Sequence, residues 1–445
     1  PVQLAIGVER RDDNSSFRPD SFLSAGDVMG FNAGQETVGR YNVSEVFAEI
    51  DVPLIEGKTG FQSLSLWAAA RSSDYSNIDS NVSSYAAALN WAPIDQLRMR
   101  VGFQRAVRAP NVNELFGGQS QGFPGATDPC SVAGTAAGTG PGDTIYDLCL
   151  ASGVPAAAIG TFTQANVQIE GLFGGNPNLE QEESDTFTIG AVIQPLDSLD
   201  ITIDYFDISV EDAISVLGGS VSNNLDICYN QVQDLNSTFC QAVTRRGDGN
   251  VDVVNVLNEN IGYIETKGID LAINWVMDMD AGIGGDGSTF AVNLRSTFLD
   301  TYDIQPVQDL PTVNKCAGTF GNTSGFCGRP RPEELYNTRV TWSTGPLTLS
   351  MLWRYMSKTE VDYLANDPST SPSDFSTPYT DAQNYVDLSA AWQFSDAFRL
   401  NVGVKNLFDE QPNFLGDEQN EANSYPAHFD IIGPRVFVSG SYSFQ

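Results

Sequence analysis

The sequence predicts an all-β fold, an antiparallel transmembrane β-barrel. Three observations carry that prediction: apolar and polar residues alternate with a period of two along many short runs, the connections between these runs alternate between long and short, and several tryptophans stand just before short connections. Period-two alternation marks strands whose two faces meet different surroundings. In a sandwich the apolar face would be core and the polar face would meet water. In a membrane-spanning barrel the apolar face meets lipid and the polar face meets the lumen. Alternation leaves both open. Connections that are long on one side and short on the other are the barrel pattern, which a sandwich has no reason to keep. A propeller would show a fixed repeat, and none is visible.

In chain order the runs are 2–11, 42–53, 61–72, 82–92, 96–106, 184–195, 198–210, 261–278, 288–300, 335–344, 346–357, 384–394, 397–405 and 433–444, about fourteen strands. The alternation is plain at Leu97, Met99, Val101 and Phe103 against Arg98, Arg100, Gly102 and Gln104. It recurs at Phe187, Ile189, Ala191 and Ile193, at Leu199, Ile201, Ile203 and Tyr205, at Leu347 through Tyr355, and at Leu400, Val402 and Val404. The long connections are 12–41, 107–183, 211–260, 301–334, 358–383 and 406–432, with 73–81 of moderate length. Between them fall short ones: 53–60, 92–96, 194–198, 278–288, the STGP turn at 343–346 and the turn at Ser395-Asp396. Trp91, Trp275, Trp342 and Trp392 precede short connections, as an interfacial aromatic girdle requires.

Composition agrees. Hydrophobic residues are 41% of the 445 and mean hydropathy is -0.18, which suits strands that are apolar on one face only. No run of about 20 apolar residues is present, so no helix is expected to span a membrane. The chain begins at Pro1 without a visible signal peptide, and we expect an N-terminal region to have been cut away. Net charge is -33, from 56 acidic against 23 basic residues, which repels phosphate backbones and argues against nucleic-acid partners. The acid gathers in the long segments: residues 107–183 have only Arg108 as a base, and residues 406–432 have no Lys or Arg. These read as solvated loop surfaces. The six cysteines form close pairs, Cys130 with Cys149, Cys228 with Cys240 and Cys316 with Cys327, each inside a different long loop. Fifteen connectivities are open in principle, and this placement favours nearest-neighbour disulfides in an oxidising compartment.

No enzyme is evident. A hydrolytic triad would have to use His428, the sole histidine, inside the last long loop. Carboxylate pairs such as Asp204 and Asp207, or Asp248 and Asp252, are chance products of an acidic chain. GDGNVD, residues 247–252, lacks the spacing of a full calcium loop and reads as a turn before a strand. Without a C-x-x-C pair, zinc is not expected, and no cofactor is implied.

Two stretches carry a resemblance. RAVRAPNVNELF, residues 105–116, ends one strand and opens the longest irregular segment; GNPNLEQEESDTFTIG, residues 175–190, leads into the next strand. They resemble the R-x-x-R-x-P-x-x-x-E-L-F and GNPxLxPExSxxxxxG stretches of TonB-dependent outer-membrane receptors. The matching positions are Arg105, Arg108, Pro110, Glu114, Leu115 and Phe116, then Asn176, Pro177, Leu179, Glu182, Ser184 and Gly190, with Gln181 where the family usually has proline. KNLFDEQP at 405–412 and the last strand, GPRVFVSGSYSF at 433–444, are similar to the family's C-terminal end; Gln445 after Phe444 is a departure. The resemblance extends over about 2–444.

It implies the C-terminal portion of a barrel, about 14 of the family's 22 strands, occupying 1–445 without the plug domain. It also implies an outer-membrane active transporter that takes up a scarce, large solute, such as a ferric siderophore or an oligosaccharide. The partners implied are outer-membrane lipid, the solute, and a TonB energy-transducing complex reached through the plug and TonB box upstream. Arg98, Arg100, Asp200, Asp204, Arg354 and Arg399 would line a hydrated lumen. Arg105, Arg108 and Glu114 are expected to order the start of the largest loop, and no ligand-contact residue can be named. The alternative is a passive porin or a secreted β-rich binding protein.

Overall fold

The computed structural model describes residues 1–79, 81–283, 287–321, 327–416 and 423–444. Fourteen strands follow one another in chain order through a single antiparallel sheet, and Asn314–Lys315 adds a short strand beside the ninth. The strands are β1 Gln3–Phe17, β2 Thr37–Lys58, β3 Phe61–Tyr75, β4 Val82–Ile94, β5 Leu97–Arg108, β6 Glu182–Leu196 and β7 Leu199–Val216. There follow β8 Asn258–Met279, β9 Ser288–Gln305, β10 Glu334–Thr344, β11 Leu347–Met356, β12 Gln383–Gln393, β13 Phe398–Lys405 and β14 Arg435–Tyr442. Every run expected from alternation is a strand. β1 and β14 are the two edges of this sheet, which does not close on itself. Gln445 lies outside the described residues.

Several strands are longer than their alternation indicated. β2 and β8 each have 22 residues. At roughly 3.3 Å per residue that is about 70 Å, well beyond the ~25 Å apolar belt even after strand tilt. The outer parts of these strands lie beyond that belt, where no face has to meet lipid, so the alternation that reveals a strand is not required there.

Register fixes the two faces. Met99, Phe103, Ile189, Ile203, Leu349, Met351, Leu388 and Val402 are exposed on the outward side. Arg100, Gly190 and Asp204 align across β5, β6 and β7 on the opposite, lumen side. Aromatic residues gather at both ends of the apolar belt. Near the short turns, Trp91 lies tilted against Phe61 at 5.7 Å and donates its indole N–H to the Gly60 carbonyl at 3.0 Å, while Trp392 lies 6.3 Å from Phe394. Near the long loops, Tyr336 lies 5.2 Å from Tyr355 and 6.1 Å from Trp353, with Phe298 at 5.7 Å. This second girdle was not foreseen, because its members are spread over β9, β10 and β11 and only the register brings them together.

The long segments are not the solvated irregular loops expected. Residues from 107–183 and 211–260 fold against one another into a unit with its own core, which includes Tyr146, Val154, Ile159, Ile169, Val221, Leu225, Tyr229 and Val254. A small sheet runs through it in the order Val243–Arg245, Val251–Asn255, Gly171–Phe173, Ser120–Gly122. The GDGNVD stretch forms the turn of its hairpin. A second, smaller core, Phe320, Val361 and Leu415, joins three later loops. Most apolar burial thus sits in the loops, because the wall itself is one strand thick; a further small cluster, Val43, Tyr75, Ile78 and Val82, lies where β2, β3 and β4 meet the loop end.

Candidate functional site

The loop end of the barrel is where the chain's polar chemistry converges, and its neck is built by the two motif stretches. Asn111 caps the helix Val112–Phe116: its side-chain oxygen accepts the N–H groups of Asn113 at 2.9 Å and Glu114 at 3.0 Å. Glu114 accepts the Asn111 N–H at 2.8 Å in return, a capping box that satisfies donors at both positions. The same carboxylate takes two hydrogen bonds from Arg108, at 2.9 and 3.0 Å, and Arg108 reaches Glu182 on β6 at 2.5 Å. Arg105 forks onto Asp185 at 2.7 and 2.5 Å and meets Glu183 at 3.3 Å. The strand leaving the loop is therefore tied to the strand entering it by charge-assisted bonds, the stronger class of hydrogen bond.

Backbone contacts close the neck. Gly175 N–H donates to the Gly117 carbonyl at 2.9 Å and Asn176 N–H to the Glu114 carbonyl at 2.8 Å. The Asn176 amide donates to the Asn258 carbonyl at 3.0 Å and its oxygen accepts the Asn178 N–H at 2.9 Å. Pro110, Leu115 and Leu179 are buried beside it; Pro177 is exposed. Phe116 lies flat on Gly39 of β2, so close that a Cβ at Gly39 would fall 2.0 Å from the ring. Gln181, in place of the family's proline, turns its amide to Glu183 at 3.3 Å.

Gly190 does comparable service in the lumen. Arg100 on β5 grips Asp204 on β7 at 2.8 and 2.5 Å across the intervening β6. A Cβ at Gly190 would sit 1.8 Å from the Asp204 carboxylate, so a residue without a side chain is what lets the pair meet.

Above the neck, Cys130 is bonded to Cys149, Cys228 to Cys240, and Cys316 to Cys327, with S–S distances of 2.00, 2.04 and 1.99 Å. Two of these lie in the larger loop unit, on either side of a buried ion pair. Arg245 forks onto Asp128 at 2.6 and 2.8 Å, donates to Tyr229 Oη at 3.1 Å and to the Gly249 carbonyl at 2.8 Å; its side chain is 2% exposed and that of Asp128 0%. Burial works against the guanidinium charge, and the Asp128 carboxylate outweighs it, so the Arg245 pKa is raised. No sequence signal points to this pair: one arginine and one aspartate 117 positions apart leave no pattern.

His428 packs edge-on to Tyr425, with ring centroids 6.2 Å apart, and burial lowers its pKa. Among the described residues there is no group of three or more His, Cys, Asp or Glu placed to hold a metal ion.

The family model of the TonB-dependent receptor-like β-barrel matches residues 3–407. The chain belongs to the TonB-dependent receptor β-barrel family. Among solved structures it is similar to the ferric enterobactin receptor of Pseudomonas aeruginosa, with a TM-score of 0.60 and 15% identity over 100% of this chain and 51% of that one. It is also similar to the siderophore receptor of Acinetobacter baumannii, at 0.58 and 16% over 100% and 52%, and to an iron transporter of Neisseria meningitidis, at 0.51 and 12% over 100% and 52%. The chain spans about half the length of these structures. No curated protein matches it. Members of the TonB-dependent receptor family are receptors and transporters of the bacterial outer membrane, not enzymes. In that setting the exposed apolar face of the strands meets lipid, and the face carrying Arg100 and Asp204 meets the lumen.

Proposed function

We propose that the chain is the C-terminal part of the wall and the loop face of an outer-membrane receptor that captures a ferric siderophore and takes it up with energy from a TonB complex. The observation that carries this reading is the loop end: folded, disulfide-bonded units held over a polar lumen by the Arg105 and Arg108 networks. A passive pore needs an open mouth, whereas a receptor for a scarce solute needs a shaped surface that binds before passage. The iron-receptor neighbours favour a ferric chelate over an oligosaccharide. In this reading the motif residues Arg105, Arg108, Pro110, Glu114, Leu115, Phe116, Asn176 and Pro177 fasten the neck and do not touch the ligand. The plug and the segment that engages TonB would be contributed from outside residues 1–445.

The test is the abundance of the protein carrying this chain in outer-membrane fractions of its source, under iron starvation and, separately, on complex glycans with iron replete. A rise under iron starvation, lost uptake of radio-iron on deleting the gene, and its return on complementation are expected. Induction by a glycan with no response to iron would replace the ferric chelate by an oligosaccharide. Recovery only from soluble material would refute the barrel receptor.

A further inference from the structure

Aspartate is common in tight turns because its side chain accepts a backbone N–H two residues on. The short turns of this barrel are rich in acid, yet they do not use it that way. Glu56, Asp95, Asp197, Asp280 and Asp396 are exposed in the turns that follow β2, β4, β6, β8 and β12. Among the described residues none of the five accepts a hydrogen bond or has an ion pair. The described residues of the short turns contain a single base, Lys58. Each carboxylate stands one or two positions after an exposed apolar side chain: Leu54, Ile94, Leu196, Met279 and Phe394, at 38–59% exposure. The turn after β10, 343–346, has neither an acid nor such an apolar residue.

The opposite end of the apolar belt is built differently. On the same outward face, Asp185 and Glu183 hold Arg105 at 2.5 and 3.3 Å, and Asp207 and Glu265 hold Lys267 at 3.4 and 2.8 Å. Acid there is matched within the protein; at the short turns it is not. Register places the apolar partners of the unmatched acids on the lipid side. Ile94 pairs with Leu97 and Leu196 with Leu199, in line with Met99 and Ile203, while Phe394 stacks on Phe398 at 5.6 Å beside Trp392. These side chains continue the belt to its edge. Headgroups form a layer of roughly 5–8 Å beyond the hydrocarbon, and a strand advances about 3.3 Å per residue. A carboxylate one or two residues past the last apolar side chain therefore lies at headgroup depth. Short turns face the periplasm, so the headgroups are those of the inner leaflet.

We propose that this rim selects inner-leaflet phospholipids by headgroup. Its carboxylates receive the primary ammonium of an ethanolamine headgroup while the adjoining apolar side chain packs on the lipid's acyl chain. An ammonium brings a positive charge and N–H donors, the combination that makes a charge-assisted bond to a carboxylate. A choline headgroup has the charge without the donors. A glycerol headgroup has neither, and the net negative charge of its lipid is repelled by an acidic rim. The inference rests on the outer-membrane placement of the family and is independent of the solute.

The experiment is lipid competition on the purified protein carrying the full chain, stripped of lipid in detergent with EDTA present. It is offered an equimolar mixture of phosphatidylethanolamine, phosphatidylcholine and phosphatidylglycerol with identical acyl chains, and bound lipids are counted by native mass spectrometry. The expected result is retention of phosphatidylethanolamine over phosphatidylglycerol by about two- to fivefold, with phosphatidylcholine between them. Asp95→Asn/Asp197→Asn/Asp396→Asn should bring that ratio close to one, and Asp197→Asn alone should lower it by a smaller step. The charge-retaining Asp95→Glu/Asp197→Glu/Asp396→Glu should keep it. Each ratio is read on protein that retains the heat-resistant electrophoretic mobility of a folded barrel, so a lost preference is not a lost fold. An unaltered protein that holds the three lipids equally or favours phosphatidylglycerol overturns the proposal. So does a preference that the Asn substitutions leave unchanged. A preference for phosphatidylglycerol that appears only when Mg²⁺ replaces EDTA would give the carboxylates to a bridging cation and overturn it as well.

Discussion

The ion pair Arg245–Asp128 offers the sharpest test of the claim that the loops are folded rather than merely long. Asp128→Ala removes both carboxylate bonds to the guanidinium, at 2.6 and 2.8 Å, and leaves on it only the uncharged acceptors Tyr229 Oη, the Gly249 carbonyl and Cys130 Sγ. With side-chain exposures of 2% and 0%, solvent cannot replace the lost partner. Breaking a pair this buried costs about 3–5 kcal/mol, most of it the penalty of a stranded charge. If the loop unit opens separately from the barrel, that cost raises its opening constant by roughly 10²- to 10⁴-fold. Hydrogen exchange read by mass spectrometry should show lost protection in peptides from 109–181 and 217–257, while the amides of β5 through β9 stay protected. Replacing both partners, Asp128→Leu with Arg245→Met, should recover most of the protection, since no charge is then left unpaired. Unchanged protection in Asp128→Ala would refute the reasoning. So would a double variant as loose as the single one, which would mean that packing and not charge holds the unit.

Three further outcomes are expected. Gly190→Ala places a methyl where the Asp204 carboxylate now lies, so the Arg100–Asp204 pair must part; the barrel should lose its heat-resistant electrophoretic mobility at a lower temperature than the unaltered protein. Asn111→Ala removes the cap of Val112–Phe116 and should cost about 1 kcal/mol, seen as faster exchange at 112–116 with the strands unaffected. Opening the Cys130–Cys149 bond by double Ser substitution releases a sequence separation of 19 and should destabilise the loop unit by about 3 kcal/mol, with proteolytic nicking between 130 and 149 as the readout.

The sequence by itself determined the strand count, the order of long and short connections, and which face of each strand is apolar. These follow from short-range physics: side chains alternate along a strand, and a strand between lipid and water must alternate with them. The stretches 105–116 and 175–190 stood out in the sequence only through their family resemblance; the capping box and the backbone contacts they make are seen in the structure. Where the demand on alternation ceased, legibility ceased with it: β2 and β8 run on past their apolar stretches, and the acidic segments that read as solvated loops enclose cores.

What only the tertiary structure decided is what depends on partners distant in sequence. Phe116 rests on Gly39, Arg100 crosses Gly190 to reach Asp204, and Arg245 finds Asp128 across 117 positions. An isolated letter carries no information about which pairs will meet. That is set by the register of the sheet and by the way two loops fold over its end.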